Sequence, residues 1–206
     1  MDGRDLKVLV REGYNAVSYR YRSDDAPEGQ YGPWLDVFRK HLRAGSTVLD
    51  LGCGSGVPVA RALVAAGYAV TGVDISDVQV ERARRLVPLA RFIRSDFADL
   101  AFDDGSFDAI ACFFALIHVP LPEQPPLLCA MAGWLRPGGL LLATVGNTAW
   151  TGSEDGWLGG DAPMWWSHAD ANTYRRWLVD AGLTIVEDHF VPEGDGGHRY
   201  VAAQRR

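Results

Sequence analysis

Val48-Leu49-Asp50-Leu51-Gly52-Cys53-Gly54-Ser55-Gly56 is the stretch that decides how this chain folds. An apolar strand ends in an acid, a glycine-rich turn follows, and a helical pattern opens at Val57. Glycine lacks Cβ and tolerates positive φ, so a ligand can lie directly on such a turn. The helix N-terminus behind it offers free N–H groups to an anionic part of that ligand. Further along, a second apolar run, Ala69-Val70-Thr71-Gly72-Val73, also ends in an acid, Asp74. A carboxylate there is placed to hold ribose hydroxyls. Two successive strands ending in carboxylates point to a nucleoside-containing cofactor.

The glycine spacing narrows the choice of cofactor. A dinucleotide fingerprint reads G-x-G-x-x-G, whereas Gly52, Gly54 and Gly56 give G-x-G-x-G. Asp50 crowds the same turn and would repel a pyrophosphate. S-adenosylmethionine has no phosphate, and its ammonium and sulfonium favour a nearby acid. At this point the chain resembles the class I S-adenosylmethionine-dependent methyltransferases, from about Ser46 to Gly146. Asp50-Leu51-Gly52-Cys53-Gly54-Ser55-Gly56 is similar to the family's first motif. Gly72-Val73-Asp74-Ile75-Ser76 resembles its ribose-binding strand end, and Ser95-Asp96-Phe97 its adenine-contacting acid. Phe107-Asp108-Ala109-Ile110-Ala111-Cys112 resembles the fourth strand, and Leu135-Arg136-Pro137-Gly138-Gly139 the turn before the fifth. The resemblance implies an α/β, Rossmann-like seven-stranded sheet, mostly parallel, with an antiparallel C-terminal edge hairpin and an N-terminal helical cap.

Composition is compatible with that expectation. The 206 residues are 48% hydrophobic and 22% charged, ordinary for one globular domain with a substantial core. No run approaches the roughly 20 apolar residues of a membrane span, and Met1-Asp2-Gly3-Arg4-Asp5 carries no signal-peptide core. The expected localisation is therefore cytoplasmic. A net charge of −6 argues against a phosphate-binding surface, and so against a nucleic-acid partner. Arg82, Arg84 and Arg85 read as a solvated helix face. Cys53, Cys112 and Cys129 are too dispersed for a metal site or a disulfide framework, and no metal is expected.

The division along the chain is a single domain, 1–206, in four parts. Residues 1–44 read as the helical cap, with helices over 6–21 and around Trp34, Leu35, Phe38 and Leu42. Residues 45–146 form the cofactor-binding core, with strands near Thr47–Asp50, Ala69–Asp74, Arg91–Arg94, Phe107–Phe113 and Leu140–Val145. Helices are expected near Val57–Ala66, Asp77–Val87 and Leu127–Trp134. Residues 147–170 have no clear period and read as a tryptophan-rich lid over the methyl acceptor. Residues 171–206 hold a closing helix, Ala169–Ala181 in the widest reading, and strands at Thr184–Val191 and Arg199–Gln204.

For the cofactor, Asp74 is expected to accept from the ribose, with Ile75 and Ser76 beside it. Asp50, Gly52, Cys53 and Gly54 form the turn against the methionine end, and Cys53 reads as a small residue that fits there. Asp96 and Phe97 face adenine, and Phe113 presents backbone to the methionine moiety. Tyr14, Tyr19 and Tyr21 on the first helix are candidates to close over the sulfonium, with Tyr14 and Tyr21 preferred. Aromatic faces attract cations by roughly 0.5–2 kcal/mol.

For the acceptor, His118 after the fourth strand and His168 beside the lid are the candidate bases. His41 and His189 read as structural or exposed. Trp150, Trp157, Trp165 and Trp166 fall within positions 150–166. Of these, Trp157, Trp165 and Trp166, with His198, are the expected substrate wall, suited to a small aromatic or hydrophobic molecule such as a phenol, indole or amine. The expected activity is methyl transfer to O, N or C of such a molecule, with S-adenosylhomocysteine as product. The alternatives are a tRNA or protein methyltransferase and a non-catalytic S-adenosylmethionine-binding module. An NAD-dependent dehydrogenase conflicts with the glycine spacing. The acceptor, the atom methylated and the oligomeric state are not legible.

Overall fold

A computed structural model describes residues 3–206. Helix α1 (Gly3–Tyr21) and α2 (Gly32–His41) precede the core. The chain then alternates through β1 (Thr47–Leu51), α3 (Val59–Ala65), β2 (Ala69–Asp74), α4 (Asp77–Leu86), β3 (Arg91–Arg94), β4 (Phe107–Cys112), α5 (Gln124–Trp134) and β5 (Leu135–Gly146). A separate hairpin follows, β6 (Trp150–Glu154) with β7 (Met164–His168). Helix α6 (Ala171–Asp180) leads to β8 (Leu183–Glu193) and β9 (Gly196–Arg205).

The main sheet has seven strands in the order β3-β2-β1-β4-β5-β9-β8. The five strands from β3 to β5 are parallel, and β9 and β8 add antiparallel at one edge. Because side chains alternate along a strand, the sheet buries both faces. Leu49, Leu51, Ile110, Cys112, Leu141 and Ala143 face one way, against Leu128 and Met131 of α5 and Tyr174 and Leu178 of α6. Val48, Val70, Ala109, Ala111 and Leu142 face the other, against Leu35 and Phe38 of α2, Leu63 of α3 and Val80 of α4. The order reverses where β1 leaves β2 on one side and β4 on the other. The strand ends at such a switch are where an open α/β sheet binds its ligand.

Two polar clamps hold the outer parts to this core. Arg82 of α4 is only 2% exposed. Its Nη1 donates to Ser18 O and Oγ at 2.6 and 2.7 Å, and its Nη2 to Arg22 O and Asp24 Oδ1 at 2.7 and 2.6 Å. It thereby locks the end of α1 over the sheet, while Asn15 accepts from Ser76 Oγ at 2.6 Å further up the same helix. The second clamp is buried Gln124. Its Nε2 donates to Val119 O and Ser167 O, both at 2.7 Å, and its Oε1 accepts from Tyr174 at 2.6 Å. It joins α5, β7 and α6.

Several sequence expectations are corrected. Residues 147–170 are not a periodless lid: β6 and β7 pair in register from Trp150↔His168 to Glu154↔Met164. The turn read at Leu135–Gly139 lies inside β5, as an irregularity between the pairs Phe107↔Leu135 and Ala109↔Leu140. The arginine cluster splits: Arg85 is exposed, but Arg82 is an internal anchor rather than part of a solvated face. Tyr19 points to solvent, with the Arg82 guanidinium 4.0 Å from its ring centroid. Among the described residues, no helix is long and apolar enough to cross a membrane.

Arg82→Met is expected to lower the unfolding free energy by about 3 kcal/mol, because it removes the buried hydrogen bonds that tie Ser18, Arg22 and Asp24 to α4. Arg85→Met removes an exposed partner of the same Asp24 and should cost far less, because water screens a surface pair. Denaturant unfolding of the two variants checks the contrast.

Candidate active site

The site is built on the ends of β1 and β2. Asp74 closes β2; its Oδ2 accepts from Gly54 N and its Oδ1 from Ser76 N, each at 2.8 Å. Burial pushes its carboxyl up to about 6, and these backbone hydrogen bonds hold it from rising further. Asp50 in β1 is 2% exposed, and its Oδ2 is buried with no hydrogen-bond partner. Burial, then the neighbouring Asp74 charge, push Asp50 up to about 7. An unpaired buried carboxylate oxygen is costly unless a ligand completes it.

The turn after β1 leaves no room for a side chain at its first glycine. Gly52 has φ +72°, and a Cβ there would come within 2.2 Å of Ala115 Cβ. The turn hangs on one carbonyl, Val73 O, which accepts from Gly52 N at 2.8 Å and Cys53 N at 3.0 Å. Ser76 caps α4 by accepting from Gln79 N at 3.1 Å.

Three adjoining hollows run across this edge. The first lies over the glycine turn, lined by Asp50, Gly52, Cys53, Gly54 and Phe113, with Arg22, Tyr31 and Gln79 opposite. Arg22 donates to Tyr31 Oη at 2.9 Å there. The second reaches Asp74, Ile75 and Phe97 beneath Tyr14 and Tyr21. The third ends at Asp96, between Ile75, Phe97 and Lys7. S-adenosylmethionine fits this donor set: Asp50 Oδ2 lacks a partner where an ammonium would sit, and Arg22 faces the same hollow. Asp74 would hold ribose, and Ile75 and Phe97 would flank adenine.

Eleven of the twelve expected cofactor residues line these hollows: Tyr14, Tyr21, Asp50, Gly52, Cys53, Gly54, Asp74, Ile75, Asp96, Phe97 and Phe113. Ser76 does not; it is fully buried and committed to its cap and to Asn15. Asp96 is less free than expected, since it accepts from Ala98 N at 2.9 Å and pairs with Lys7 at 2.5 Å. Sequence reasoning missed Arg22, Tyr31 and Gln79. Gln79 sits three positions after the cap Ser76, on the helix face turned toward the turn, which was a usable signal; Arg22 and Tyr31 carried none.

A larger cavity of about 400 Å³ opens beside the second hollow. The two share Tyr14, Tyr21, Phe114 and His118. Trp150, Trp157 and Trp166 form its aromatic wall, and His168, His198, Thr148 and Glu193 its polar side. Phe114 holds a positive φ of 54°, with its N–H donating to Thr144 Oγ1 at 2.5 Å. Trp165 is a correction: it is 5% exposed, packs with Val10 and Met164, and lines no part of the cavity. Alternation along β7 explains this, since Trp165 and Trp166 leave opposite faces.

The histidines differ sharply. His118 Nδ1 lies 2.7 Å from Trp165 O and must donate to it, so Nε2 accepts from Tyr14 Oη at 2.9 Å. Both nitrogens are engaged, and burial pushes the ring down to about 4. His118 therefore holds Tyr14 in place, and the expectation of a base there gives way to a positioning role. His168 Nδ1 donates to Thr148 O at 2.7 Å, which leaves Nε2 as the lone-pair nitrogen. Burial holds it below the ordinary histidine range, so it is neutral near pH 7. His198 Nε2 lies 3.0 Å from Glu193 Oε2. Among the described residues no group of three or more His, Cys, Asp or Glu is arranged to hold a metal ion.

Comparison with known proteins agrees with this geometry. A family model described as "Methyltransferase domain" matches residues 48–139. The chain is 39% identical over 106 residues to 27-O-demethylrifamycin SV methyltransferase of Amycolatopsis mediterranei, covering 48% of this chain and 38% of that protein. It is 39% identical over 147 residues to a ubiquinone biosynthesis O-methyltransferase of Xanthomonas campestris, covering 66% and 60%. The chain thus spans less than two thirds of these relatives' own lengths. In fold it is similar to 1,6-didemethyltoxoflavin-N1-methyltransferase of Burkholderia thailandensis, solved with S-adenosylhomocysteine. The TM-score there is 0.76 at 20% identity, covering 100% of this chain and 91% of that one.

The orphan oxygen of Asp50 predicts how affinity depends on pH. A ligand ammonium binds the carboxylate, so affinity for S-adenosylmethionine is highest above about 7 and is lost as Asp50 protonates. Titration calorimetry should show affinity falling roughly tenfold or more from about pH 7.5 to about pH 5.5. Asp50→Asn should bind weakly and keep only a shallow slope, from Asp74. A wild-type affinity flat across this range would contradict the assignment.

Proposed function

We propose that this chain is a class I S-adenosylmethionine-dependent methyltransferase that methylates a small aromatic or hydrophobic molecule held in the tryptophan-walled cavity. The observation that carries this reading is the shared boundary. Tyr14, Tyr21, Phe114 and His118 line both the cofactor hollow and the cavity of about 400 Å³, so two ligands would meet across them. That volume suits a small molecule. The relatives' names speak of O-methylation and N-methylation of small molecules, which supports the same class of acceptor. On this reading the cap, core, lid hairpin and closing strands work as one unit, without nucleic acid or membrane as partner.

When bound, S-adenosylmethionine supplies a methyl group activated by a positive sulfur and leaves as S-adenosylhomocysteine. The chain's own residues bind and orient. Tyr14 donates its proton to His118 Nε2, so its oxygen lone pairs face the boundary. Tyr14 and Tyr21 stand edge to face at 5.3 Å, a pair of rings fit to surround a cation. Trp157 packs at 5.5 Å from Tyr14 and 5.6 Å from Trp166, continuing the wall into the acceptor side. Orientation of this kind contributes up to about 7–11 kcal/mol. His168, with Nδ1–H fixed on Thr148 O, is the group to accept a proton at Nε2 from an acceptor hydroxyl. An aromatic carbon or a neutral amine needs less of that help.

Incubation with S-adenosylmethionine and a panel of phenols, indoles and amines should give a methylated product and equimolar S-adenosylhomocysteine by mass spectrometry. For a hydroxyl acceptor, His168→Ala should lower kcat by about 10²–10⁴. Tyr14→Phe should lower kcat without matching loss of acceptor binding. Transfer to tRNA or protein with none to small molecules would overturn the proposal.

A further inference from the structure

Resting on that reading of the cavity, we infer that the acceptor carries hydrogen-bond donors and no anionic group, and that Glu193 enforces this selection. Four polar residues of the cavity, Thr148, His168, Glu193 and His198, come from the loop after β5, the end of β7 and the adjoining ends of β8 and β9. His168 offers Nε2 as an acceptor, because Nδ1–H is spent on Thr148 O. Glu193 Oε2 takes His198 Nε2–H at 3.0 Å, and this hydrogen bond holds the carboxyl below its ordinary range. Glu193 is therefore ionised where it lines the cavity.

No lysine or arginine is among the described residues that line this space. Arg20 and Arg22 come from the same helix end as Tyr21 but are engaged elsewhere. Arg20 donates to Gly159 O, and Arg22 to Tyr31 Oη on the cofactor side. Arg199 is paired with Asp188. His118 has no free nitrogen, and His168 is neutral for the reason already given.

An acceptor's carboxylate, phosphate or sulfate would thus enter an aromatic-walled space lined by no lysine or arginine and by one carboxylate, which already takes the hydrogen bond of His198. Burying an unpaired anion is strongly unfavourable, and like charges add to the penalty. A hydroxyl, an N–H or an ammonium meets the opposite situation: free acceptors and tryptophan faces. The acceptor class is accordingly a neutral or cationic aromatic with exposed O–H or N–H groups. Its reacting group lies toward Tyr14 and His168 and its other donors toward Glu193.

The test uses the whole protein saturated with S-adenosylhomocysteine and reads binding from quenching of tryptophan fluorescence, so it does not depend on turnover. Three ring-matched probes are compared: hydroquinone, tyramine and 4-hydroxybenzoate. The neutral and cationic probes should bind at least about tenfold tighter than the anionic one. Glu193→Gln should shrink that gap to within about threefold, and Glu193→Lys should reverse it. Unchanged S-adenosylhomocysteine affinity shows that both variants remain folded. Equal binding of the anion in wild type, or an unaltered ratio in Glu193→Gln, would overturn the inference and leave methyl transfer standing. If none of the probes binds while S-adenosylhomocysteine does, the acceptor-cavity reading itself falls, and the inference with it.

Discussion

Two carboxylates buried near one another at the ends of neighbouring strands are the constraint around which the molecule is arranged. Asp74 is largely satisfied, by Gly54 N and Ser76 N, and in return fixes the glycine turn. Asp50 is not satisfied; one oxygen is out of water and without a partner. A fold that only needed stability would replace such a group with an apolar one at little loss. Its retention makes sense if a cationic ligand completes it. Gly52 follows from the close packing of the same turn, since its φ is +72° and a Cβ there would meet Ala115 at 2.2 Å.

The cap exists to keep this pair dry. Helix α1 lies across the strand ends because Arg82, Gln79 and Ser76 of the α4 region grip Ser18 and Asn15 on its underside. That grip brings Tyr14 and Tyr21 over the hollows and sets Tyr14 against His118. His118 is in turn pinned by the lid hairpin through Trp165 O. Cap, core and lid therefore meet at a single phenol. Tyr14 lines both the second hollow and the tryptophan-walled cavity, so all three elements bear on that boundary.

Much of this was legible in the sequence, for a physical reason. β1 and β2 are largely apolar runs that end beside an acid, and the glycine turn has few alternative readings. The acids that end β1 and β2 could be placed on the same edge without coordinates. The lid was illegible because β6 is exposed along its length and pairs with a partner ten or more residues away, so no local period marks it. Trp165 was misassigned because density of tryptophan does not reveal which face of a strand each one leaves. Arg82 looked like its exposed neighbours because burial of an arginine depends on partners, here Ser18, Arg22 and Asp24, that lie far off in sequence. Glu193 carried no local signal at all; only the return of β9 beside β5 brings the turn to the cavity.

The central claim is that a cofactor and an aromatic acceptor meet at Tyr14. The most direct measurement is a crystal structure of the protein with S-adenosylhomocysteine and a neutral aromatic that it methylates. The account predicts the ammonium on Asp50, the ribose on Asp74, and the acceptor ring against Trp157 and Trp166 with its reacting atom turned past Tyr14 toward the sulfur. A ring bound outside the tryptophan-walled cavity, or an ammonium that leaves Asp50 unpaired, would contradict it.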